Sequence, residues 1–227
     1  MHSQSRRTGR IFFLLVAASV SGVVSYELPA GDDSSASASV GRKVPDFSLK
    51  DTAGKERSLD ELAGKRATMI VFLSTECPMS NSYLEPLTDL AKKYEGHGVA
   101  LVLINPNGEE SEAQVAKHVA EYKIQYPVLR DPIQKVADLL EAKVTPEAFV
   151  LDADRVVRYR GRIDDQYVTR LKRREQKTRN DLAEALEELL AVKPVSRPET
   201  EALGCPIARA VTPKKTARFP NRSATSG

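Results

Sequence analysis

The chain has 227 residues, 41% of them apolar and 29% charged, which is enough for one domain with a proper core and a tail. A formal charge of +3 makes no case for nucleic acid, and the two cysteines and three histidines are not spaced as a metal cluster, so no metal and no cofactor is expected. The basic runs Arg170 to Arg179 and Thr212 to Gly227 read as solvated loop and tail, with an anionic partner or membrane surface as the other reading.

In chain order, "MHSQSRRTGR" is basic and "IFFLLVAASVSGVV" is an apolar run too short to be a comfortable membrane span. Val23-Val24-Ser25 then offers small residues before Tyr26, so residues 1–25 read as a secretory signal peptide, an uncleaved N-terminal anchor being the alternative. The folded part is therefore expected in the periplasm or elsewhere outside the cytoplasm, at a membrane only if that segment is uncleaved. Residues 26–40 are small and polar, a linker. The pattern then predicts one domain over 41–193 and an extended tail over 194–227 that contains Cys205.

Within the domain, a short strand near Phe47, a turn at Gly54 and a capping box at Ser58 to Glu61 come first. "ATMIVFL", Ala67 to Leu73, reads as a strand buried on both faces, and Leu84, Leu87, Leu90 and Ala91 form one helical stripe after it. Strand signals at "GVALVLIN" and "YPVLRD" alternate with helices at "SEAQVAKHVAEYK" and "PIQKVADLLEA", the latter begun by Pro132. "EAFVLD" and "VVRYRG" pair across Ala153-Asp154, and "NDLAEALEELLAV" closes the domain. Such alternation predicts an α/β fold, a central mixed sheet flanked by helices.

Cys77 is the candidate reactive residue, a small buried hydrophobe at a strand end being the other reading. A cysteine just before a helix faces unpaired backbone N–H groups, which lower a thiol's pKa, and Pro78 suits the first helical position. Ser80 stands where a second thiol would complete a C-x-x-C pair; a hydroxyl cannot resolve a mixed disulfide but can donate a hydrogen bond to a thiolate. Cys205, in "ALGCPI", is expected in an exposed turn. Three readings of it stay open: a structural disulfide with Cys77, a redox-active pair in which Cys205 resolves, or an unrelated thiol. Asp164-Asp165 is expected to organise a loop or cap, His97 and His118 lie at expected surface positions, and "GEESE" reads as a polar loop.

"VPDFSLKD", "VFLSTECP" and "VTPEAFVLDADRVVRYRG", in that spacing, resemble the thioredoxin-like redoxin superfamily, which includes the alkyl hydroperoxide reductase/thiol-specific antioxidant proteins and exported thiol-disulfide oxidoreductases. The resemblance implies a thioredoxin-like fold with Cys77 at the start of a long helix, facing a cis-proline at Pro146. It also implies a thiol-dependent oxidoreductase acting on a protein thiol or disulfide or on a peroxide, with an external thiol as reductant. For peroxide chemistry, Ser74 fills the hydroxyl position and Arg162 or Arg160 the arginine position, while Ile70 replaces the expected proline. For disulfide exchange, Ser74-Thr75 precede the cysteine as in related strands, but Glu76 replaces the usual tryptophan. The competing class is a non-catalytic binding or assembly module on the same scaffold.

Overall fold

The computed structural model describes residues 40–209. Residues 1–39 and 210–227, which hold the expected signal peptide, nearly all of the expected linker and the last basic run, lie outside the described residues.

The hairpin β1 (Ser48–Asp51) and β2 (Glu56–Ser58) leads into a single helical turn, α1 (Leu59–Leu62), begun by the Ser58 hydroxyl accepting from the Glu61 N–H. The apolar run expected as a central strand is β3 (Ala67–Phe72), every residue of it buried. After α2 (Pro78–Glu95) come β4 (Val99–Asn105), α3 (Glu112–Glu121) and β5 (Val128–Arg130), with β3, β4 and β5 parallel. The chain continues through α4 (Lys135–Leu139) and β6 (Val144–Thr145) into the antiparallel pair β7 (Glu147–Asp152) and β8 (Val157–Gly161). The seven-stranded sheet runs in the order β2-β1-β5-β4-β3-β7-β8, a mixed sheet with β3 near its centre. A small hairpin of β9 (Tyr167–Thr169) and β10 (Lys172–Arg173), α5 (Asp181–Leu190) and a two-residue strand, β11 (Cys205–Pro206), complete the described chain.

Alternation along β3 divides the core. Ala67, Met69 and Val71 point to one face and pack with Leu84 and Leu87 of α2 and Leu182 and Leu186 of α5. Ile70 and Phe72 point to the other, with Leu59, Val136, Leu140 and Phe149. The fold class read from the sequence is thus the one observed, helices covering both faces of a mixed sheet.

Two local expectations need correcting. The helix predicted from Pro132 starts later, at Lys135, because Gln134 adopts φ 61 and the Asp131 carboxylate accepts the Val136 and Ala137 N–H groups at 2.9 and 2.8 Å. The basic run from Arg170 to Arg179 is exposed over nearly all of its length, the solvated loop that the sequence suggests, and several of its side chains also make local polar contacts. Arg173 donates to the Tyr167 hydroxyl at 3.0 Å, Arg174 to the Asp165 carbonyl at 2.9 Å, Lys177 lies 3.4 Å from Asp164, and Arg179 lies 3.0 Å from Asp181. Cys205 is half-buried in β11 and not in an exposed turn, because the tail finds unpaired backbone on β6.

Phe72 is fully buried and meets Phe149 edge-on, ring centres 5.8 Å apart. Phe72→Ala is expected to lower stability by about 3–5 kcal/mol, read from the midpoint of guanidinium unfolding.

Candidate functional site

Cys77 is the N-cap of α2 and Pro78 its first residue, as the sequence predicts from the strand end and the proline. The thiol is 1% exposed and donates to the Thr145 carbonyl at 3.0 Å. The Thr145–Pro146 peptide bond is cis, so Pro146 follows directly on the residue that receives the thiol.

β11 lies antiparallel to β6, with Cys205 opposite Thr145 and Pro206 opposite Val144. Two glycines make room for the tail. A Cβ on Gly204 would stand 2.4 Å from the Thr145 carbonyl oxygen, and one on Gly161, whose φ is +138, would stand 2.2 Å from the Thr200 carbonyl oxygen. Upstream, Arg160 N–H donates to Pro198 at 2.9 Å and Thr200 N–H to Arg160 at 3.0 Å; downstream, Ile207 N–H donates to Lys143 at 3.0 Å and its side chain is buried in the core. Held on both sides, Cys205 stands beside Cys77, and both cysteines are free.

The pair is electrostatically unequal. Burial pushes the Cys77 thiol up, but hydrogen bonds from the Cys205 thiol and from the Ser80 N–H and hydroxyl outweigh it and leave Cys77 below the ordinary thiol range. Cys205 moves the other way, raised by burial and by the Cys77 sulfur beside it, with Arg170 opposing from 3.8 Å. The first proton therefore leaves Cys77, and the second stays on Cys205. Glu76, expected to disfavour the thiolate if poorly solvated, is exposed; burial is what opposes ionisation here.

The loop before Cys77 is clamped by a residue that the sequence reading passed over as part of a polar loop. Glu110 is 3% exposed and accepts from Ser74 Oγ at 2.6 Å, Thr75 N at 3.0 Å, Thr75 Oγ1 at 2.7 Å, Asn105 Nδ2 at 2.7 Å and Asn107 Nδ2 at 2.6 Å. Arg130 donates to the Glu110 carbonyl and to Asn105 Oδ1. Burial raises the Glu110 carboxyl, yet these donors overcome it and hold it below the ordinary carboxylate range. On the helix side, Ser80, fully buried, accepts the Ser74 N–H at 3.3 Å, and Asn81 donates to the Thr75 carbonyl at 3.0 Å while contacting His118 at 2.9 Å. His118 is accordingly half-buried rather than a surface residue. No sequence spacing announces this network, because its members come from strands, loops and helices spread between Ser74 and Arg130.

Of the residues singled out from the sequence, Cys77, Ser80, Pro146 and Cys205 come together. Ser74 and Thr75 lie beside them but turn their hydroxyls to Glu110. Arg162 donates to Asp181 at 2.7 Å and Arg160 to Glu147 at 3.0 Å, so neither guanidinium is directed to the thiol. Asp164 and Asp165 organise the loop after β8, accepting from Tyr83 and from Thr178 and Arg179. Among the described residues, no group of three or more His, Cys, Asp or Glu side chains is placed to hold a metal ion.

The family described as AhpC/TSA matches residues 40–160, more than half of the chain. The chain belongs to the AhpC/TSA family. Its fold is thioredoxin-like. The chain is 25% identical over 151 residues to the thiol-disulfide oxidoreductase ResA of Bacillus thuringiensis, covering 66% of this chain and 84% of ResA. Two solved structures resemble it more extensively. An uncharacterized conserved protein from Geobacillus kaustophilus has a TM-score of 0.70 at 28% identity, covering 77% of this chain and 94% of its own. A hypothetical protein from Sinorhizobium meliloti has a TM-score of 0.68 at 31% identity, covering 78% and 97%.

Two measurements follow from this AhpC/TSA site. Ser80→Ala removes a donor to the Cys77 thiolate, so the ultraviolet thiolate signal of Cys77 is expected to titrate at higher pH than in the unmodified protein. Glu110, with its folded pKa depressed, contributes stability that is present above the unfolded carboxylate range and is lost as pH falls through the folded value. Glu110→Gln is expected to lower stability at neutral pH and to flatten the acid limb of a stability-against-pH curve.

Proposed function

We propose that the protein is an exported thiol-disulfide oxidoreductase whose Cys77 and Cys205 cycle between a dithiol and an intramolecular disulfide. The observation that carries this reading is the β11–β6 pairing, which sets Cys205 opposite Thr145, the residue that receives the Cys77 thiol, and so puts the two cysteines side by side. Cys77 is the thiolate, and Cys205 supplies the second thiol of the pair, which the hydroxyl of Ser80 cannot be. The substrate is a protein thiol or disulfide, and an external thiol completes the cycle; similarity to the thiol-disulfide oxidoreductase ResA supports that class.

Disulfide exchange is favoured over peroxide reduction because the hydroxyl of Ser74 and the guanidinium of Arg162, the groups expected to polarise a peroxide, are engaged by Glu110 and Asp181. Export rests on the basic and apolar N-terminal sequence. No helix among the described residues is long and apolar enough to cross a membrane. We further take residues 41–193 as the catalytic domain and the segment from 194 onward as a tail that supplies the second cysteine.

The test is mild oxidation with a disulfide, followed by intact mass and by turnover of a protein disulfide. The unmodified protein is expected to lose the mass of two hydrogens, and Cys77→Ser or Cys205→Ser to abolish that loss and to cut turnover by about a hundredfold or more. A dithiol that stays reduced and exchanges no faster than free cysteine would overturn the reading in favour of a non-catalytic module.

A further inference from the structure

The two sulfurs differ in what can reach them. Exchange at a disulfide requires a thiolate to approach one sulfur from the side away from its partner. In a Cys77–Cys205 disulfide, a thiolate attacking Cys77 would have to reach a residue that is 1% exposed, packed among Ser80, the Thr145 carbonyl and the tail itself. The tail cannot simply be lifted to open that path. It is held by backbone bonds at Pro198 and Thr200, by the β11–β6 pairing, by the buried Ile207 and by Arg209, which pairs with Asp138 and donates to the Ala142 carbonyl at 2.6 Å. Cys205, by contrast, is only half-buried, and beside it stands the exposed Arg170, whose Nη2 lies 3.8 Å from Sγ.

We propose that external thiols enter and leave this site at Cys205, with Cys77 as the internal sulfur that never meets the partner. This rests on the reading of the two cysteines as a redox pair. The partner thiolate attacks Cys205 Sγ and forms a new S–S bond there, the Cys77–Cys205 bond breaks, and its electron pair leaves on Cys77, where the Ser80 N–H and hydroxyl receive the charge. A second partner thiolate attacks the partner's sulfur in the mixed disulfide, releasing the oxidised partner and a Cys205 thiolate that takes up a proton. Two partner thiols are oxidised and the protein disulfide is reduced. The Arg170 guanidinium stands beside the attacked sulfur and favours a thiolate flanked by acidic groups over one flanked by basic groups. In this arrangement the tail is a relay built into the chain: Gly204 has no side chain because the strand must lie against Thr145 for Cys205 to reach inward, while Cys205 keeps one side toward solvent.

The experiment uses the full chain, oxidised to the intramolecular disulfide, mixed with reduced glutathione and quenched in acid at successive early times, with peptide mass mapping of the adduct extrapolated to zero time. The expected result is glutathione on the peptide carrying Cys205, exceeding that on Cys77 by about tenfold or more, with Cys77 free. Adduct appearing first on Cys77, or equally on both, overturns the proposal and leaves the redox pair intact, with the tail swinging away to admit the partner. If the intramolecular disulfide does not form at all, the redox-pair reading falls and this inference falls with it, a result distinct from a misplaced adduct.

Discussion

Antiparallel pairing between two residues of the tail and the two residues before Pro146 is the interaction on which the site depends. It satisfies backbone groups that β6 would otherwise expose, and it brings the far end of the chain over the start of α2. The fit is sterically narrow: Gly204 lies so near the Thr145 carbonyl that a methyl group would push the strand away. From that single register follow the burial of Cys77, the contact between the two thiols and the unequal exposure of the sulfurs.

Around this pairing the site divides its work between two polar systems. One serves the sulfur: the helix start, the Ser80 donors and the Cys205 thiol all favour charge on Cys77, against the cost of burying it. The other serves the loop, where Glu110 collects five donors and converts a flexible-looking Ser-Thr-Glu segment into a fixed approach to the helix. A buried carboxylate with so many donors is a strong local constraint, since removing any one of them leaves charge unsatisfied in a poorly solvated place. The hydroxyls of Ser74 and Thr75 are committed to that constraint, each donating to the Glu110 carboxylate.

Much of the scaffold was legible because it rests on local pattern. The fully buried β3, the helical stripe on α2 and the antiparallel β7–β8 pair each follow from residue periodicity that the surrounding packing does not contradict. The misread segments are those where a long-range partner overrides the local preference. Asp131 and Gln134 delay α4 by turning the chain first, and pairing with β6 takes Cys205 out of its expected exposed turn. Glu110 was passed over for the same reason: an acidic residue in a polar loop reads as solvated until the loop that it faces is in place.

The sequence by itself determined an α/β redoxin scaffold and a cysteine at the head of a helix, because strand burial, helix starts and turn residues are written over a few neighbouring positions. Tertiary structure alone decided that Cys205 meets Cys77, that Ser74 and Arg162 are engaged elsewhere, and which sulfur faces outward. Those facts depend on backbone pairing and side-chain contacts between segments distant in the chain, and no spacing along the sequence measures the distance across a folded sheet.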